Sequence, residues 1–374
     1  MSFSVFERDN AYLLALYLSI FLVGWDDGTA GPLIPRMQES YGVGYTVVSL
    51  IFVCKCAGAF TAALVNMHIS DKYGYAKART AGAIVQLIAF SIQAPHPPFP
   101  VLALAYYIDG FGGSLQAAQA NALLTMFPTH RHAKMMIGHG TYGLGALISP
   151  LISTQFSQQM HWTFMYLTSL SLAVVTTIVL LAVYRLRSQA CMSSLGFDEI
   201  EYEGWDKYYA LMRMPAVHIA ALFVFTYVGT EVSLGSWSVT YLIRERNGGG
   251  STGYVSSGFF GGLTVGRFAL IWVNQLLGER RVIFYYMAIC IGLQLSVWLA
   301  KSLIGDAIAL SFVGFFMGPI YPQLVLVLAN FVPASMVGGA VGWISCLGAT
   351  GAAVFPFITG VMASKFGVWV LQPL

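Results

Sequence analysis

Eleven apolar runs recur along the chain between short polar turns, each near the length of roughly 20 residues that carries an α-helix across a bilayer. They fall near residues 11–32, 43–65, 79–95, 101–126, 135–157, 162–184, 214–242, 252–274, 282–300, 304–330 and 336–364. A chain divided this way has few options, because hydrocarbon offers no hydrogen-bond partner and each crossing segment must satisfy its own backbone. Composition agrees: 9% of residues are charged and 57% hydrophobic, against roughly 25% charged in a soluble domain. The expectation is an all-α membrane protein with the lipid bilayer as its surroundings.

The same composition excludes other classes. A formal net charge of +3, spread over loops, implies no nucleic-acid partner. The five cysteines are odd in number and four sit in apolar runs, which suits packing better than a disulfide framework. Cys54-x-Cys56 lacks a second ligand pair nearby, so no metal is expected there. Gly249-x-Ser251-x-Gly253 has the outline of a nucleophile elbow, but it lies in a glycine-rich turn between spans rather than after a buried strand. Neither a phosphate-binding Gly-Lys-Ser/Thr pattern nor His-Glu-x-x-His occurs. The chain reads as a non-enzyme without cofactors, expected to act as a monomer. No cleavable signal peptide is apparent, and the first span would serve as its own signal.

The longest polar interruption, 185–213, separates a bundle of six spans at 1–184 from five full spans at 214–374. With the N-terminus inside, twelve loop Lys and Arg fall on the inner face and five on the outer. That bias puts the N-terminus and the linker in the cytoplasm, of either the plasma membrane or an internal, vacuolar one. The halves look duplicated. Val23-Gly24-x-Asp26 matches Val228-Gly229-x-Glu231 at an offset of 205, Gly74 matches Gly278 at 204, and Gln119 matches Gln323 at 204. Gly145-Ala146-x-x-x-Pro150 matches Gly351-Ala352-x-x-x-Pro356 at 206. Parallel repeats of this kind mark several transporter folds. Projected forward, span six requires a twelfth span near 368–390, whereas the sequence ends at Leu374. Eleven spans are therefore expected, with the twelfth missing or truncated.

Charge inside an apolar run costs about 2.5–3.5 kcal/mol even on the lenient insertion scale, so intramembrane acids mark functional sites by default. Asp26 and Asp27 lie about 23 Å along the first span, before Gly31-Pro32 and Pro35 are expected to end the helix. Neighbours point about 100° apart, so only one of the two faces a cavity squarely. The plain alternative is a helix-terminal pair at the headgroups. Glu231 holds the matching place in span seven, with Tyr227 one turn earlier, and its alternative is an ion pair with one of the two intramembrane bases, Lys55 or Arg267. Span four offers Gln116 and Gln119 on one stripe and Asn121 off it, with Asp109 expected near the outer end and paired there. Amides both donate and accept, which suits a neutral polyhydroxylated solute, though helix–helix contact explains them too. Gly318-Pro319 should break span ten and free carbonyls near Gln323. His139 and Tyr142 add polar groups in span five. Trp25 and Trp237 offer flat faces on which a sugar ring could stack.

The loop Asn66-Met-His-Ile-Ser-Asp71-Lys72-Tyr-Gly74-Tyr-Ala-Lys77 and its second copy ending in Gly278-Glu-Arg280-Arg281 resemble the major facilitator superfamily. Asp71, Lys72 and Gly74 match that family's loop, while Asn66 replaces its leading glycine and Gln275 stands where Asp71 does in the second copy. The resemblance implies two six-helix halves rocking about a midplane site, with Asp71, Lys72, Gly74 and Arg280 gating at the cytoplasmic side. Gly24-Trp25-x-Asp27-Gly28, Gln119-Ala-Asn121 and Tyr227-Val-Gly-Thr-Glu231 are similar to a fungal, fucose-permease-like branch. That likeness implies proton-coupled movement of a small sugar. Acids on spans one and four are tied to coupling there, whereas Gln116 and Gln119 here cannot titrate. The expected function is secondary transport of a small polar solute with protons, Asp26, Asp27 and Glu231 carrying the coupling. The alternatives are a non-transporting solute sensor and an inactive truncated transporter.

Overall fold

A computed structural model describes residues 5–125, 131–184, 205–333 and 336–373. Helices fill every expected span. Spans one to six are Val5–Tyr41, Tyr45–Val48 with Leu50–Tyr73, Tyr75–Gln93, Phe99–Thr125, Arg131–Ser157 and Met165–Tyr184. Trp205–Met212 is a short helix that leads into spans seven to eleven: Pro215–Glu245, Tyr254–Ala269 with Ile271–Leu277, Glu279–Leu299, Leu303–Met317 with Ile320–Ala329, and Val337–Phe366.

Seven of these, spans one, two, six, seven, nine, ten and eleven, are long and apolar enough to cross a membrane unaided. The other four also carry interior polar groups: Arg79, Gln86 and Gln93 in span three, Asp109, Gln116 and Gln119 in span four, His139 in span five and Arg267 in span eight. A helix that faces protein rather than lipid needs less apolar surface.

Span one corrects the sequence reading. Pro32 and Pro35 lie inside a single helix that continues to Tyr41, since packed neighbours re-satisfy carbonyls that proline leaves without a donor. Asp26 and Asp27 are therefore mid-helix and not at a helix end. Span ten does break as expected, between Met317 and Ile320.

The packing repeats between the two sets of spans. Span one lies on span five as seven lies on eleven; two lies on four as eight on ten; three lies on four as nine on ten. Between the sets, one meets seven, two meets eleven and five meets eight. Small residues set these contacts, as expected where van der Waals packing drives helix association in lipid. A Cβ at Gly58 would stand 2.0 Å from the Tyr107 carbonyl, and one at Gly110 2.0 Å from that of Lys55. At an offset of 204, a Cβ at Gly262 or Gly314 would stand 2.1 Å from the carbonyl of Ser311 or Phe259 respectively. The loops match too: Gly74 and Gly278 both take left-handed φ, 81° and 83°, between consecutive spans, a conformation open to glycine without a Cβ penalty.

Candidate functional site: a charge cluster beside a central cavity

Lys55 of span two reaches between three carboxylates. Its Nζ donates to Asp26, donates to Asp27 Oδ1 at 2.8 Å and stands 3.8 Å from Asp109 Oδ2. Asp26 and Asp27 come from span one and Asp109 from span four, and the close approach at Gly58 and Gly110 holds spans two and four at this level. Asp109 is wholly buried and Asp26 nearly so, whereas the Asp27 side chain is 37% exposed. Asp27 is thus the most accessible of the three acids. With all groups ionised, three carboxylates against one ammonium leave two negative charges in a membrane interior. Such a cluster is held only by hydrogen bonds and by protons.

The hydrogen bonds run outward from the cluster along two routes. Tyr142 of span five donates its hydroxyl to Asp27 Oδ2 at 2.7 Å. Gln86 of span three donates to Asp109 Oδ1 at 2.9 Å, and Gln116 donates in turn to Gln86 Oε1 at 2.5 Å. Tyr142 and Gln116 both line a cavity of about 1570 Å³ between the two sets of spans. Lys55 and the three acids lie behind that lining.

Glu231, Tyr227, Arg267, Tyr321 and Gln323 line the opposite wall, and His139 lines the near one. The break in span ten explains part of this wall. It frees the Met317 carbonyl, which accepts from Tyr227 Oη at 3.0 Å, and the Gly318 carbonyl, which accepts from Arg267 Nε at 3.4 Å. Glu231 lies within electrostatic reach of Arg267 and Tyr227. Two amide oxygens, Gln116 Oε1 and Gln323 Oε1, are buried at the cavity with no partner.

The cavity extends to Met135, Gln275 and Gly278 at one end of the bundle. At the other end the two sets of spans are shut against each other. Gln158 Nε2 donates to the Gly250 carbonyl at 3.1 Å and Gln155 bonds Tyr254. A Cβ at Gly31 would stand 2.6 Å from the Gly235 carbonyl, and one at Gly360 2.6 Å from Ser49.

A family profile described as Major Facilitator Superfamily matches residues 16–356. The chain belongs to the Major Facilitator Superfamily. It is therefore an integral, multi-pass membrane protein. It is 24% identical over 390 residues to "Bypass of stop codon protein 6" of Saccharomyces cerevisiae, a match covering 95% of this chain and 78% of that one. It is 22% identical over 379 residues to the glucose/galactose transporter of Brucella abortus, covering 95% and 88%. Among solved structures, a D-xylose-proton symporter superposes with a TM-score of 0.76 at 12% identity, covering 98% of this chain and 94% of that one. The major facilitator fold is shared.

Within this superfamily fold the residues expected from sequence fall into three groups. Asp26, Asp27, Glu231, His139, Tyr142, Tyr227, Gln116, Gln323, Lys55 and Arg267 stand at the cavity or directly behind it. Gln119 does not line it; it donates to Asn66 and, at 2.8 Å, to Ser70, tying span four to span two. Trp25 and Trp237 are also elsewhere. Their indole N–H groups donate to Ser169 Oγ and the Pro356 carbonyl, each at 3.0 Å, inside helix contacts where no sugar ring can stack. Lys72 is exposed, and Arg280 lies 4.8 Å above the Phe331 ring. The side chains of Asp71 and Asn121 lie outside the described residues.

Two corrections concern partners. Asp109 sits about ten residues into a helix that starts at Phe99, roughly 15 Å deep and not at an outer end. Lys55 belongs to the acids of spans one and four rather than to Glu231. Gln86 was invisible in sequence, since a lone amide in an apolar run has no pattern to mark it. Its only hint is the flanking Gly82.

Proposed function

We propose that this protein carries a small, neutral, sugar-like solute across its membrane by alternating access, with protons handled by the cluster around Lys55. The observation that supports this most is the pair of unpartnered amide oxygens, Gln116 Oε1 from span four and Gln323 Oε1 from span ten, buried at one cavity. An acceptor in that setting needs a donor, and solute hydroxyls supply one once the helices rearrange around the solute, the Gln116 side chain being wholly enclosed in this arrangement. A carboxylate or phosphate would leave both oxygens unsatisfied. The glucose/galactose transporter among the relatives is consistent with this chemistry.

Coupling rests on the cluster. Asp26 and Asp109 meet at one ammonium, the Lys55 Nζ that contacts both, so a single cation serves two buried carboxyl groups. The acids of spans one and four thus supply the pair that the fucose-permease-like branch implies, with Asp109 in the part that Gln116 and Gln119 cannot fill. Tyr142 connects Asp27 to the cavity. Glu231 faces the cavity from the other side. On the orientation given by the basic residues, the N-terminus and the open end of the cavity are cytoplasmic, and the halves at 1–184 and 214–374 rock as units about spans one, two, five, seven, eight and eleven. The protein works as a monomer.

Uptake of labelled D-glucose and D-galactose into proteoliposomes, with and without an inward proton gradient, tests the reading. Gln116→Ala and Gln323→Ala should each weaken solute affinity about twofold to tenfold, the equivalent of one hydrogen bond of 0.5–1.5 kcal/mol. Asp109→Asn should abolish stimulation by the gradient. Gradient-stimulated uptake that survives Asp26→Asn, Asp27→Asn and Asp109→Asn alike would end the coupling assignment.

A further inference from the structure

Gln86 is not itself part of the cavity lining and makes no hydrogen bond to Lys55, yet it is the only side chain that joins Asp109 to Gln116 among the described residues. It is 1% exposed, donates to Asp109 Oδ1 and accepts from Gln116. The backbone makes room for it. A Cβ at Gly112 would stand 2.9 Å from Gln86 Cγ, one at Gly113 3.0 Å from Gln86 Nε2, and one at Gly82 3.0 Å from Gln116 Cγ. Three glycines thus form a slot around a two-amide chain, with an unpartnered acceptor, Gln116 Oε1, at its cavity end.

We infer that Gln86 is a positioning residue that links occupancy of the cavity to the proton on Asp109, a role that rests on the solute reading above. The direction follows from how amides polarise. A solute hydroxyl donating to Gln116 Oε1 makes the Gln116 N–H a stronger donor to Gln86, and Gln86 a stronger donor to Asp109, because chained hydrogen bonds reinforce one another. Stronger donation favours the ionised carboxylate. By reciprocity, a proton arriving on Asp109 removes the best acceptor for Gln86 and loosens the solute. In the arrangement with this end of the cavity open, solute and proton each hasten the other's departure.

Other groups act on the same carboxyl and set the background. Asp26 and Asp27 face it from span one, Lys55 from span two, Tyr106 from its own span, and Tyr166 of span six bonds Tyr106 at 3.0 Å. None of them reaches Gln116. Gln86 alone among the described residues carries the link, so it can be cut without removing any charge.

Two measurements on the purified full chain in nanodiscs test this. The first needs no solute: infrared spectra, with the Asp109 carboxyl band assigned by Asp109→Asn. Gln116→Ala should shift that band when Gln86 is present and leave it unmoved in a Gln86→Met background. The second is binding of labelled D-glucose, expected to be about fivefold tighter at pH 8 than at pH 5.5 in the parent and independent of pH in Gln86→Met, in keeping with usual coupling strengths. Gln86→Glu keeps the shape of the relay and donates to Asp109 only when protonated, so it should restore the link at acid pH alone. A band shift by Gln116→Ala that persists without Gln86, or parental pH dependence of binding in Gln86→Met, would overturn the inference. Failure of the parent to bind D-glucose would remove the solute reading, and the infrared cycle would still decide the relay.

Discussion

Lys55→Met removes one ammonium and leaves three carboxylates facing one another, so its cost must depend on how many of them are charged. Met preserves most of the side-chain volume, which isolates the charge. Asp109 and Asp26 are buried, with side-chain exposures of 0% and 7%, while Asp27 at 37% is partly hydrated and contributes less. Breaking a buried pair from one side costs about 3–5 kcal/mol because the remaining charge is uncompensated. That figure applies only while the acids stay ionised. Protons relieve the repulsion, so the variant should lose little stability at pH 5 and most at pH 8. Its folded form binds more protons than its unfolded form, and stability therefore falls as pH rises. Thermal unfolding in detergent, followed by intrinsic fluorescence, should show a drop in midpoint on the order of 5 °C at pH 8 and a smaller one at pH 5. Adding Asp109→Asn removes the most buried of the stranded charges and should recover a large part of the loss. An equal loss at both pH values, or no recovery in the double variant, would refute the view of Lys55 as the shared counter-ion.

Further tests bear on packing and on the facing spans. Gly266→Ala places a Cβ 1.9 Å from the Phe315 carbonyl, whereas Gly292→Ala meets nothing within 4 Å; the first should lower the thermal midpoint by the equivalent of about 1–3 kcal/mol and the second should not, when both are compared in detergent. Cys56 and Cys346 line the cavity from spans two and eleven, and the Cys56 sulfur rests 3.5 Å from the Ala349 carbonyl, one turn from Cys346. Mild oxidation with diamide, which takes up two hydrogens as the disulfide forms, should cross-link the two halves after the linker is cut. Cys56→Ser should prevent this; a cross-link that survives it would show a different pairing of helices.

Much of this architecture is visible in the sequence, and the reasons for the misses are specific. The length and spacing of the apolar runs place every span because hydrocarbon thickness fixes helix length. Duplication is visible because a left-handed turn demands glycine at matching places between spans, as at Gly74 and Gly278. Depth and rotation of single side chains are less accessible. Asp109 was expected at an outer end because its run of residues does not reveal where the helix begins, and Phe99 sets that start. Span one was expected to stop at Pro32 because proline ends helices in water; among packed helices it need not. The stacking role expected of Trp25 and Trp237 fails because both rings are buried and their N–H groups donate within helix contacts, an arrangement that apolar patterning does not reveal.

The two halves keep the same scaffold and differ in chemistry, and the difference is concentrated at the cluster. At the offset of 204 that relates the glycines, Lys55 corresponds to Phe259, Asp109 to Val313, Gln86 to Cys290 and Gln116 to Ile320. Phe259 and Val313 are fully buried in the second half's apolar core. An ionic cluster and an apolar one therefore occupy equivalent seats between equally spaced helices, so neither is needed to hold the backbone there. The glycine contacts do that in both halves. A structural ion pair would be an expensive way to achieve what Phe259 and Val313 achieve without charge, since apolar replacements of buried pairs are commonly neutral or stabilising. The charges at Lys55, Asp26, Asp27 and Asp109 are thus not explained by support of the backbone, which agrees with the proton-handling role proposed for them. The second half keeps an acid at the matching place, Glu231, and adds Arg267, held at the cavity wall by a carbonyl of the broken tenth span.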